Sequence, residues 1–120
     1  MSVESEWQNS EKIFEVFKNI VEPSLQELIE EYDGVGGFEA KIVSDCPIIT
    51  GIEVYDSIMF QHPDGFEMII CVYWVRGSDN IIAENISMVT LNKALDIYQI
   101  TKDNLKRLIK FLAGIEMMKK

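Results

Sequence analysis

FQHPDGFEMIICVYWVRGSDN, residues 60–80, decides the fold. Asp64-Gly65 is a strong hairpin signal, because glycine adopts the positive φ that tight turns between strands require. Phe66 to Val75 is apolar on both parities: Phe66, Met68, Ile70, Val72 and Trp74 on one, Ile69, Cys71, Tyr73 and Val75 on the other. A strand without a wet face belongs in the middle of a sheet. Arg76-Gly77-Ser78-Asp79-Asn80 is a second hairpin loop, so the central strand is expected to have antiparallel neighbours on both sides.

Moving outward, the strand before it runs from about Ile49 to Gln61, and the strand after it from Ile81 to Leu91. The latter is mixed in polarity, which places it nearer an edge. Upstream, Phe38, Ala40 and Ile42 alternate with Glu39 and Lys41 in a short strand with one wet face. Asp45-Cys46-Pro47 reads as a turn. Residues 92–100 fit a connection with room for a short fifth strand. Asp56 interrupts the apolar set Ile52, Val54, Ile58 and Phe60, and a bulge or an edge position is the reading preferred for it over a half-buried carboxylate.

Both ends of the chain read as helices. Trp7, Phe14, Phe17, Val21, Leu25, Leu28 and Tyr32 recur at helical spacing, widened by Ile13, Val16, Ile20 and Ile29. Pro23 lacks an N–H and crowds the carbonyl of Asn19, predicting a kink or short break between segments near 5–21 and 23–32. Asp33-Gly34 ends the helix. At the other end Thr101 is a natural N-cap, followed by Leu105, Leu108, Ile109, Leu112 and Ile115, with Lys102, Lys106, Arg107 and Lys110 on the outer face. The expected fold is α+β: an N-terminal kinked helix or helix pair, a four- to five-stranded mostly antiparallel sheet, and a C-terminal helix, with the helices on one face. No linker or repeat divides the chain, so residues 1–120 are read as a single domain.

Charge is laid out unevenly. Residues 1–70 carry fifteen acids against three lysines, a net of −12, and residues 71–120 carry five acids against eight bases, a net of +3. An acidic body steers basic partners and weighs against nucleic acid, whose affinity depends on cations that meet phosphate. Tyr73 and Trp74 therefore do not read as a base-stacking platform. Cys46 and Cys71 read as thiols of a reducing compartment, the first ten residues lack the features of a signal peptide, and no apolar run approaches a membrane span; the expected location is cytoplasmic. Asn85-Ile86-Ser87 then matches a glycosylation acceptor only by chance.

Catalytic and cofactor chemistry finds little support. His62 is the only histidine and sits at a hairpin tip, where no walls are expected to exclude water. One histidine without a cysteine cluster is a poor zinc set. Glu27, Glu30, Glu31 and Asp33 crowd the end of the first helical region, but their spacing matches no calcium loop. Gly34-Val35-Gly36-Gly37 follows a helix rather than preceding one, the reverse of a phosphate-cradling loop. There is no serine elbow, and Cys71 lies in the most buried strand. No metal and no cofactor is expected, and the chain reads as non-catalytic.

In size, acidity and helix–sheet–helix layout the chain resembles bacterial immunity proteins and, less closely, type III secretion chaperones. The first resemblance implies a protein-binding module that neutralises a basic toxin, such as a nuclease, by covering its active site. The second implies a dimeric chaperone, and a homodimer is compatible with either. A third reading is a small enzyme or ligand-binding domain with a pocket drawn from Asp56, Tyr55 and Tyr73. For the first, the partner surface is expected at Glu27, Glu30, Glu31 and Asp33, with Glu39 and Asp45 on the adjoining strand.

Overall fold

The computed structural model describes residues 9–43, 54–75, 77–87 and 91–114. Helix α1 (Ser10–Val16) passes through a π turn (Phe17–Val21) into α2 (Glu22–Tyr32). The expected interruption near Pro23 takes the form of this π turn, with the second segment beginning at Glu22. The proline sits in the first turn of α2, and the turn before it widens, with the Glu22 amide donating to the carbonyl of Phe17 five residues back. A π turn takes in one extra residue and so carries the ladder past a position that has no N–H to give.

That extra residue changes which side chains face inward. One residue is about 100° of helix rotation, so the apolar stripe upstream of the π turn moves by one position. Ile13 and Val16 are buried, whereas Phe14, which a uniform helix would put in the stripe, is 57% exposed. Downstream the stripe Val21, Leu25, Leu28 and Tyr32 is buried as the periodicity predicts. Gly34, at φ 86°, then turns the chain out of the helix.

Five antiparallel strands follow in a meander of order β1-β2-β3-β4-β5. They are β1 (Glu39–Ile42), β2 (Val54–Gln61), β3 (Glu67–Trp74), β4 (Asn80–Asn85) and β5 (Asn92–Asp96). The doubly apolar stretch is the central strand, as its pattern requires. One boundary differs from expectation, β4 stopping at Asn85 before a turn through Ile86 and Ser87, and the short fifth strand allowed for in residues 92–100 forms the far edge. The predicted start of β2 near Ile49 and the turn at Asp45-Cys46-Pro47 lie outside the described residues. Pairing of β2 with β3 runs unbroken from Val54 opposite Trp74 to Gln61 opposite Glu67, so the strand has no bulge at Asp56.

The last helix, α3 (Lys102–Ala113), starts with a capping box: Thr101 accepts from the Asn104 amide, and the Asn104 side chain accepts from that of Thr101. Leu105, Ile109 and Leu112 pack into the same core as Ile13, Leu25, Leu28, Ile58, Phe60, Ile70, Val72 and Ile81. All three helices thus cover one face of the sheet. On the opposite face Tyr55, Ile69, Cys71, Tyr73, Ile82 and Ile86 form a second, smaller cluster. Among the described residues no helix is long and apolar enough to cross a membrane.

Candidate functional site

The acidic residues expected to form one partner surface do three different things. Glu27 and Glu31, one helical turn apart on α2, meet Lys102, Lys106 and Lys110, spaced by the same turn on α3. Lys102 Nζ lies 2.7 Å from Glu27 Oε2, Lys106 bonds both Glu27 and Glu31, and Lys110 Nζ lies 3.5 Å from Glu31 Oε2. Lys110 also sits 5.6 Å over the Tyr32 ring. Sequence numbers rise together along this ladder, so α2 and α3 run parallel. Hydrogen bonds from Lys102 and Lys106 hold the Glu27 carboxyl below its usual range. Burial pushes Glu31 up, but the Lys106 and Lys110 ammonium groups outweigh it and leave that carboxyl lowered as well. Burial likewise works against the charge of Lys106, and its two glutamates more than restore it.

Asp33 has a separate task. Its Oδ1 accepts from the amide of Ala40 at 3.1 Å, an N–H on the side of β1 that faces away from β2. An unpaired edge N–H is a template for another strand, and Asp33 occupies this one. Glu30 is exposed on α2, Glu39 is exposed on β1 with Lys41 at 4.0 Å, and Asp45 lies outside the described residues. Among the described residues no three histidine, cysteine or acidic side chains converge as a metal ion would need.

His62 is not held out in water as a bare hairpin tip would be. The His62 amide donates to the Phe66 carbonyl at 2.8 Å, and the Gly65 amide to that of His62 at 3.0 Å. The imidazole rests edge-on against Phe38, ring centroids 5.0 Å apart, and Phe38 meets Phe66 at 5.5 Å. His62 Nδ1 lies 2.9 Å from Asp64 Oδ1, and only 28% of the side chain is exposed. The amide of Phe66, and then His62 itself, hold the Asp64 carboxyl below its usual range. Beside this turn is an open recess of about 360 Å³ lined by Gly37, Glu39, Gln61, His62, Pro63 and Gly65. Sequence reasoning missed it because Gly37 and Glu39 are brought to the turn only when β1 pairs with β2.

Asp56 lies on the helix-facing side of β2, in the same alternation as Val54, Ile58 and Phe60, and directly opposite Val72. It is half-buried. Burial, reinforced by the Glu22 carboxylate at the start of α2, pushes its pKa up to about 6. Among the described residues no cation faces it. Tyr55 and Tyr73 pair on the other side of the sheet, where the Tyr73 hydroxyl donates to Glu84 at 3.3 Å. Burial, with Glu84 beside it, raises the Tyr73 pKa. The pocket imagined from Asp56, Tyr55 and Tyr73 therefore cannot form, because the sheet separates the carboxylate from both phenols.

Comparisons with protein families, with characterised proteins and with solved structures returned no match to this chain.

Proposed function

We propose that this protein is a non-catalytic binding module that covers a basic protein partner, in the manner of a bacterial immunity or antitoxin protein neutralising a toxin in the cytoplasm. The observation that carries the reading is the fate of the basic terminal segment. Lys102, Lys106 and Lys110 are engaged within the molecule by Glu27 and Glu31. With that ladder set aside, eighteen acids face eight bases in the remainder, a net of −10. What looks in sequence like an acidic body with a basic arm is, once folded, an acidic molecule whose main cationic stripe is paired with its own glutamates. Such a field speeds encounter with a basic partner by roughly 10- to 1,000-fold and is screened as salt rises.

The placement of Asp33 on the outward amide of Ala40 weighs against the secretion-chaperone alternative, which needs an open sheet edge to hold an extended segment. The test is co-expression with the product of the adjacent reading frame, followed by association kinetics at low and high salt. The expected result is a stable complex, relief of any toxicity of that product, and an association rate that falls steeply with ionic strength. A complex indifferent to salt, or no complex with a basic product, would sink the reading.

A further inference from the structure

We propose that the recess beside the β2–β3 turn is an arginine-reading subsite, taking a guanidinium group from the basic partner; the assignment of its occupant rests on the binding-module reading above. The recess holds about 360 Å³ and is walled on one side by the His62 ring and Pro63. Small-ligand sites begin at roughly 300 Å³, and one arginine side chain fits within that. Strand register supplies the polar end. Of the residues that line the recess, Glu39 lies directly opposite Gln61, so one carboxylate and one amide form a cross-strand pair there. A guanidinium presents a planar fork of N–H donors that matches a carboxylate bidentately, with donors to spare for an amide oxygen. An ammonium has no such fork.

Two further features favour a ligand from outside. Among the described residues Glu39 pairs with Lys41 at 4.0 Å, the lysine side chain 46% and the glutamate 64% exposed. A surface pair of that kind contributes little and is easily exchanged for a bidentate one. The His62 ring, fixed by Asp64 and Phe38, is a preset wall of the recess, and Gly37 lies against its edge with no side chain to displace it. A Cβ at Gly37 would sit 3.0 Å from His62 Nε2.

The experiment is an amide-resolved NMR titration of the full chain with blocked arginine (N-acetyl-arginine amide), against its neutral isostere, blocked citrulline. Saturable shifts are expected at Gly37, Glu39, Gln61, His62 and Gly65, at least tenfold weaker with citrulline and in the Glu39→Gln variant. Glu11→Gln, which removes the same charge from exposed α1, should leave the titration unchanged. Equal midpoints for arginine and citrulline, or shifts scattered over the whole acidic surface, overturn the assignment. The complex with the adjacent gene product separates the two proposals. If it forms but ignores Glu39→Gln, the subsite fails while the binding-module reading stands; if blocked arginine titrates the recess and no basic partner binds, that reading fails and the guanidinium site stands.

Discussion

Lys106 on α3 bonds the Glu31 carboxylate on α2, with only 13% of the lysine side chain exposed. The lysine also bridges to Glu27, so it separates two carboxylates that would otherwise face each other across one helical turn. Removing it leaves like charges at i and i+4, which adds a repulsion to the loss of the pair itself. Lys106→Met keeps most of the apolar stem and should lower stability by about 1 kcal/mol near neutral pH, or roughly 3–6 °C in Tm. The sign with pH is fixed by the carboxylates. Glu27 and Glu31 are held below their usual value of 4.5, so their stabilisation is full above that pH and fades as pH falls through the lowered values. The Tm difference between Lys106→Met and wild type should therefore shrink on going from pH 7 to pH 3; a constant difference would mean that Lys106 acts by packing alone.

Asp56 works in the opposite direction. Its folded pKa is raised from 3.8 to about 6, so the folded state holds a proton that the unfolded chain has released. The resulting penalty is full above pH 6 and is relieved as pH falls from there toward 3.8. A fully buried group with that shift would forfeit roughly 3 kcal/mol, and water on the open side of this half-buried one reduces the figure to about 1–2 kcal/mol. Asp56→Asn should stabilise the protein by that amount in urea denaturation at pH 8 and by almost nothing at pH 4. Glu22→Gln, which removes the smaller cause, should give a fraction of the same gain with the same pH dependence.

Alternation and turn chemistry were enough to locate the meander, its central strand and the Thr101 cap, because each depends on neighbours in sequence. The candidate surface was not legible in the same way. Glu27 and Lys102 are 75 residues apart, and only the parallel approach of α2 and α3 turns matching helical spacings into a ladder. Asp56 shows the opposite failure: its parity named the correct face, and a bulge was preferred because a carboxylate on a core face is costly. The cost is smaller than that argument assumed, since the group is only half-buried.

The phase of the first helix makes a sharp pair of predictions. With an uninterrupted α-helical ladder Phe14 would be a core residue, whereas through the π turn Ile13 takes that place. Ile13→Ala should cost about 2–5 kcal/mol, the range for deleting a buried aliphatic side chain. Phe14→Ala should fall within about 0.5 kcal/mol of wild type, as exposed positions do. Comparable losses from both substitutions in urea titrations would place the stripe on the unshifted phase and remove the π turn's structural role.

Gly37 and Gly34 allow a strain to be separated from a contact. Both have positive φ, +84° and +86°, yet a Cβ at Gly34 meets nothing within 4 Å while one at Gly37 meets His62 Nε2 at 3.0 Å. Gly34→Ala should therefore show only the left-handed penalty, about 1–2 kcal/mol. Gly37→Ala should show that penalty and, in addition, displacement of the imidazole from its place between Phe38 and Asp64. His62→Ala in the Gly37→Ala background removes the atom being struck, so the double variant should lose less stability than the two single losses combined. Strict additivity in a double-mutant cycle would show that the His62 ring is not packed against Gly37 and that the recess has no fixed wall.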